Sequence, residues 1–222
     1  MHKKIWLFAL LALTFSGSVA QNSATAHFKI GKLKYEGGGD WYSNPTALPN
    51  LIQYINQNTN SQVFLSEEVV EPGGSQIFQY PYVYMTGHGN VAFSDQEARN
   101  LRIYLLSGGF LHIDDNYGMD PYVRREMKKV FPELEFVELP FSHEIYHEHY
   151  EFSGGLPKVH EHDGKPPKGY ALIYENRVVC FYSAESDLGD GWEDQVVHND
   201  PEEIRQKALK MGTNIVLWAI NH

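Results

Sequence analysis

The chain predicts an α/β protein: a mostly parallel sheet with helices on both faces and an antiparallel hairpin added late. Three observations carry that expectation. Short apolar runs alternate along the chain with segments whose apolar residues recur at helical spacing. Gly- and Asp-rich loops follow the apolar runs, where an open parallel sheet turns into its next helix. And 222 residues, 42% hydrophobic and 14% aromatic, punctuated by 19 glycines and 11 prolines, suit one compact domain with many turns.

The elements follow in order. His27 to Tyr35 sets Phe28, Ile30, Leu33 and Tyr35 among lysines, a first strand that ends at Gly37-Gly38-Gly39. Leu51, Ile52 and Ile55 form a helical stripe that starts between Pro45 and Pro49 and stops in the Asn/Thr-rich turn 56–61. A short Val63-Phe64-Leu65 run precedes Pro72-Gly73-Gly74, and Tyr80 to Met85 is an apolar strand ending at Gly87-His88-Gly89. Ser94-Asp95-Gln96-Glu97 is a capping box ahead of Ala98, Leu101 and Leu105, a helix stopped by Gly108-Gly109. Phe110 to Ile113 is a buried strand, followed by a turn cluster over Asp114-Asp115-Asn116-Tyr117-Gly118. Asp120 as N-cap and Pro121 as first helical residue open a helix through Val123, Met127 and Val130. Phe136 to Leu139 is a further strand, and the histidine-rich 143–169 stretch is an irregular excursion. Tyr170–Tyr174 and Arg177–Tyr182 flank Glu175-Asn176 as a hairpin, and Asp187 to Trp192 is a turn. Asp200-Pro201 caps a last helix whose stripe is Ile204, Ala208, Met211 and Ile215.

The first residues have the pattern of a cleaved secretory signal: Lys3 and Lys4, an apolar run from Ile5 to Phe15, and Ser18-Val19-Ala20. The expected organisation is a signal peptide at 1–20 and a single domain at 21–222, periplasmic or secreted. No cysteine follows the apolar run to accept a lipid, and no later stretch nears the roughly 20 apolar residues of a membrane span. With Lys3 and Lys4 removed, 16 basic residues face 28 acidic ones, a balance of −12. A phosphate backbone would be repelled and no basic stripe appears, which excludes nucleic acid as a partner. Cys180, alone and inside an apolar run, has no disulfide partner and reads as a small buried hydrophobe.

Ligands of open α/β sheets bind outside the carboxyl ends of the strands. Asp40 and Trp41 follow the first strand, His88 the Tyr80 strand, Asp114, Asp115 and Asn116 the Phe110 strand, and His143 and His147 the Phe136 strand. These clusters are expected on one rim. Gly and Asp also serve turns for purely conformational reasons, so each cluster alone has a structural reading too.

Four ordered blocks resemble a known family. They are Tyr35-Glu36-Gly37-Gly38-Gly39-Asp40-Trp41-Tyr42, Tyr84-Met85-Thr86-Gly87-His88-Gly89, Gly108 through Gly118, and Asp187-Leu188-Gly189-Asp190-Gly191-Trp192. Together they resemble the bacterial family called domain of unknown function 4159, over essentially the whole chain after residue 20. The resemblance implies a flavodoxin-like, class I glutamine amidotransferase-like three-layer sandwich and no established reaction. Glutaminases of that fold class place a cysteine nucleophile at a strand-to-helix elbow. Here Cys180 falls in the hairpin and the elbow holds Asp114 or a neighbour, so glutaminase chemistry is not expected.

The residues leave several chemistries open. Asp114 can act as general base, ligate a divalent metal with His88, His143 or His147, or tie down its own turn. Asp115 titrates apart from Asp114 if both face one pocket, and if the two alternate along an extended segment only one faces it. His143-Glu144-Ile145-Tyr146-His147 matches H-E-x-x-H, the pattern of a zinc-dependent hydrolase, without the metzincin extension. Trp41 and Trp192 suit either sugar-ring walls or the core, and Asp187 lies in a loop that fails the EF-hand spacing. The leading expectation is a polar envelope or carbohydrate ligand held at an Asp/His rim, with hydrolysis as its reaction if it has one. The rival is a non-catalytic module docking an envelope protein.

Overall fold

The computed structural model describes residues 27–222, so the signal expected at 1–20 lies outside the described residues. Its strands are β1 (His27–Phe28), β2 (Ile30–Leu33), β3 (Gln62–Val63), β4 (Glu68–Val70), β5 (Tyr82–His88), β6 (Phe110–Tyr117), β7 (Val137–Glu138), β8 (Lys168–Tyr174) and β9 (Arg177–Ala184). Its helices are α1 (Ala47–Asn58), α2 (Asp95–Leu106), α3 (Asp120–Val130), α4 (Leu188–Trp192), α5 (Gln195–His198) and α6 (Glu202–Asn221).

The protein is α/β with a mostly parallel, mixed sheet of seven strands in the order β4-β2-β5-β6-β9-β8-β7. Strands β4 to β9 in that order pair in parallel, whereas β8 runs antiparallel to both β9 and β7. Two apolar cores lie on opposite faces. One gathers α1, α6 and Trp192 over Ile30, Tyr82, Tyr84 and Phe181; the other gathers α2 and α3 over Leu33, Val83, Met85 and Ile113. Strand alternation puts Tyr84 and Met85 on opposite faces, which is why both faces of β5 read as apolar in the sequence.

Several elements follow from their local sequence. Leu48, Leu51, Ile52 and Ile55 are the buried stripe of α1, and Pro49 sits harmlessly in its first turn, where no amide has an intrahelical partner. Ser94 and Glu97 form a reciprocal capping box on α2. The β8–β9 hairpin turns through Glu175 and Asn176, both at positive φ, as a two-residue primed turn requires.

Elsewhere the structure corrects the sequence reading. The first strand is two pieces broken at Lys29, because β1 leaves the main sheet to pair with β3. β4, too short to show a pattern, is an additional strand. Asp114, Asp115 and Asn116 are not a turn: β6 continues through them, since side chains on β5 and β9 and the backbone amides of α4 satisfy them. Asp120 is the first residue of α3 rather than its cap, and its carboxylate pairs with Arg124 at 2.9 Å. Leu188–Trp192 is the buried helix α4, with Asp187 at its N-cap, not an open turn. Asp200 does not cap α6; Pro201 holds that position and Asp200 turns to His160.

Candidate functional site

Two consecutive aspartates at the carboxyl end of β6 divide the site, because a strand sends successive side chains to opposite faces. Asp114 faces the α1/α6 side, fully buried, inside a complete cage of donors. Its Oδ1 accepts from the Ser183 hydroxyl at 2.5 Å and the Leu188 amide at 3.3 Å, and its Oδ2 from the Gly189 amide at 2.7 Å and the Tyr84 hydroxyl at 3.1 Å. The carboxylate therefore anchors the first turn of α4. Burial raises its pKa to about 6, against the lowering effect of its hydrogen bonds.

Asp114 belongs to a buried polar ladder between β5 and β6. Tyr82 meets His112 Nδ1 at 2.7 Å, Tyr84 meets Asp114, and Thr86 donates to Asn116 at 3.0 Å. His112 Nε2 contacts Ser183 Oγ at 2.9 Å. Since that hydroxyl gives its proton to Asp114, His112 must donate from Nε2 and accept at Nδ1 from Tyr82, a neutral tautomer. Burial agrees, lowering the His112 pKa to about 3.

Asp115 faces the other side. Its Oδ1 accepts from the amides of Tyr117 and Met119, both at 2.9 Å, and its Oδ2 from the Tyr182 hydroxyl at 3.0 Å. Burial raises its pKa. Beside it opens a cavity of about 540 Å³, bounded by β6, the start of α3, residues 163–168 and the β8–β9 pair. Tyr117, Tyr170 and Tyr182 supply aromatic surface, and Arg124, Asp163, Lys165 and Glu185 supply charge. The Arg124 guanidinium lies 4.8 Å over the Tyr170 ring.

Tyr117 occupies a special backbone position. In the β5–β6 pairing Gly87 opposes Asp115 and His88 opposes Tyr117, so Asn116 is an extra residue in β6, a bulge that redirects the strand end. Tyr117 carries φ 141°, a conformation normally left to glycine. Its ring stacks on His162 with centroids 4.5 Å apart, and its hydroxyl donates to Asp163 at 3.0 Å.

Asp40 and His88 meet between β2 and β5. The Asp40 carboxylate accepts the His88 amide, and His88 Nδ1 lies 3.0 Å from Asp40 Oδ2. Asp40 and Asp115 both act electrostatically on the Tyr35 hydroxyl, whose pKa is raised chiefly by burial.

A second polar cluster, on the Asp114 side, escaped the sequence reading. Asp190 accepts from Asn44 at 2.7 Å and meets His160 Nδ1 at 2.9 Å; His160 Nε2 meets Asp200 at 3.0 Å. His198 Nε2 lies 3.0 Å from Glu193 Oε2 and 3.8 Å from Asp190. His160, Asp190 and His198 place one ligand atom each within 4.8 Å of one another. Nearby, Asp187 is fully buried at φ 57°, with Oδ2 2.6 Å from His162 Nε2 and Oδ1 without a partner among the described residues. Burial, then the Asp114 and Asp190 charges, push its pKa up to about 9. The signal available in the sequence was the density of His and Asp between 160 and 200; their spacing matches no motif.

The expected rim is thus two sites back to back. Asp40, His88 and Asp115 share the α2/α3 side, with Trp41 half-buried against that core. Asp114, Asn116 and Asp187 share the other, where Asn116 donates to Asn44 at 2.8 Å. Trp192 is not a wall: it is buried, donates to Ala208 O at 2.8 Å and packs over Gly212, where a Cβ would collide with the indole. His143 meets Trp218 edge-to-face, thirteen residues or about 20 Å along α6 from Arg205, the residue that reaches α4's C-cap carbonyl at Glu193. Glu144–Tyr146 is a single 3₁₀ turn, not a helix, so the H-E-x-x-H spacing does not put two imidazoles on one face. His143 Nδ1 accepts the Ile145 amide, while both His147 nitrogens are engaged, by Glu151 at 2.7 Å and Phe141 O at 2.8 Å. Nor do His88, Asp114, His143 and His147 converge as a metal site.

Comparison with known families identifies the chain. The model of the family described as Domain of unknown function (DUF4159) matches residues 29–220, and the protein belongs to that family. Among curated proteins, none matches the chain.

Proposed function

We propose that the protein is exported and binds a small polar ligand of the carbohydrate or cell-envelope class in the cavity beside Asp115. The observation that carries this reading is the cavity itself: about 540 Å³, within the range of small-molecule sites, at the carboxyl ends of β6 and β9. Its tyrosine faces suit the C–H face of a sugar ring, and its mixed charges suit hydroxyls and carboxylates. A glutamine amidotransferase-like, flavodoxin-like architecture is part of the proposal. It is supported by the strand order β4-β2-β5-β6-β9, which in chain order is the 2-1-3-4-5 of doubly wound sheets.

Binding, rather than acyl transfer, fits the nucleophiles present. Cys180 is buried in β9, where burial raises its thiol pKa well above the ordinary value. Ser183 is enclosed and its proton is committed to Asp114. The Asp115 oxygens are filled by two amides and a phenol, so Asp115 shapes the cavity wall.

The test is a thermal-shift panel of monosaccharides, glycan oligomers and muropeptides on the purified protein. A stabilising compound whose effect is lost in Lys165→Ala and Tyr170→Ala supports the reading; no response across the panel overturns it in favour of protein docking. That rival has the exposed Val69 of β4 and the exposed Phe64 and Leu65 just before it in its favour.

A further inference from the structure

We propose that His160, Asp190, Glu193 and His198 form a binding site for one divalent transition-metal ion of the zinc, manganese or ferrous class. The site is separate from the Asp115 cavity and does not depend on what that cavity holds.

The spacing is the first support. Ligands at 2.0–2.1 Å around a four-coordinate ion stand roughly 3.3–3.4 Å apart. The observed contacts are 2.9 Å from His160 Nδ1 to Asp190 Oδ2, 3.8 Å from His198 Nε2 to the other Asp190 oxygen, Oδ1, and 3.0 Å from His198 Nε2 to Glu193 Oε2. One ligand atom each of His160, Asp190 and His198 lies within 4.8 Å of the others, so an ion among them draws these side chains inward and turns Glu193 towards it from its contact with His198. Two imidazoles with two carboxylates is a donor set that zinc, manganese and ferrous iron accept.

The outer contacts are the second support. A metal-bound imidazole usually gives its other N–H to a carboxylate, which fixes the ring. With His160 Nδ1 on the ion, Nε2 faces Asp200 Oδ1 at 3.0 Å. The other oxygen of Asp200 is buried without a partner among the described residues, so this carboxylate is held at the cluster by little besides His160. Asp190 is oriented by Asn44 at 2.7 Å, and Glu193 Oε1 by the Thr46 hydroxyl at 3.3 Å. The ligands therefore have supports outside the coordination sphere.

Charge is the third. Asp190, Glu193 and Asp200 are all at most 9% exposed. Buried Lys32 acts electrostatically on Glu193, and a divalent cation would offset the remaining Asp190 and Asp200 carboxylates. The His160 and His198 side chains are 25% and 29% exposed, which leaves an entry path.

The experiment treats the full protein with chelator, desalts it, and titrates Zn²⁺, Mn²⁺ and Co²⁺ separately. The expected result is one equivalent bound, a raised melting temperature and, for Co²⁺, the visible absorption of a low-coordinate site. His160→Gln and His198→Gln should abolish these responses, Asp200→Asn should weaken affinity about 10–100-fold, and His147→Ala should leave them intact. If either glutamine variant fails to fold, the wild-type cobalt spectrum and the Asp200→Asn titration decide. Absence of binding by all three ions at about 0.1 mM, or equal affinity in wild type and Asp200→Asn, overturns the proposal.

Discussion

Asp114 and Asp115 stand back to back on β6: the first anchors α4 through the amides of Leu188 and Gly189, the second anchors the approach to α3 through those of Tyr117 and Met119. One dipeptide thereby ties both helical layers to the middle of the sheet. Each carboxylate accepts backbone amides that would otherwise lack partners, and an unmet buried donor costs about 1–3 kcal/mol.

The Asp114 cage makes stability depend on pH in a definite direction. Its folded pKa of about 6 stands above the ordinary 3.8, so between those values the folded protein keeps a proton that the unfolded chain releases. Stability from this group is thus greatest at low pH and falls as pH rises through the window. Relative to Asp114→Asn, the wild type should lose up to about 3 kcal/mol between pH 4 and pH 7 in urea melts. A difference that stays flat would show that the carboxyl is not enclosed as described.

Trp192 is a structural residue. Trp192→Ala should cost about 3–5 kcal/mol in chemical denaturation, as large core truncations do. Trp192→Phe should leave any response to the ligand panel in place; its loss would return this residue to the binding surface.

Tyr117 holds a backbone conformation that glycine adopts freely. Tyr117→Gly releases strain of about 1–3 kcal/mol, which offsets the lost stack on His162 and the lost bond to Asp163. Its melting temperature should stay near the wild-type value while stabilisation by the best panel compound disappears. A marked drop in melting temperature would mean the position is unstrained.

Removing the α2 cap by Ser94→Ala should cost about 1 kcal/mol, measured by urea denaturation. An unchanged midpoint would contradict the reciprocal bonds between Ser94 and Glu97.

Much of this was legible in the chain. Ser94 and Glu97 announced α2, Glu175-Asn176 the hairpin, and the apolar runs at Tyr82 and Phe110 the central strands, because those signals are local. What misled was chemistry satisfied at a distance. Asp114 and Asn116 look like turn residues until Ser183, Gly189 and Thr86 supply their partners from far along the sequence. Trp192 beside two glycines looks like a loop residue until Gly212 provides the flat surface it packs on. The His160 cluster was invisible for the same reason: its members come from an irregular segment and two helices of four or five residues, none with a periodic pattern.

The ladder of Tyr82–His112, Tyr84–Asp114 and Thr86–Asn116 also acts as a proofreading device during assembly. Sliding one strand past its neighbour by a single residue would swing these groups into the opposite, oily layer and strand them all together. Misaligned pairings are thereby penalised far more heavily than they would be between two uniformly greasy strands, and the central pair has one deep energetic minimum.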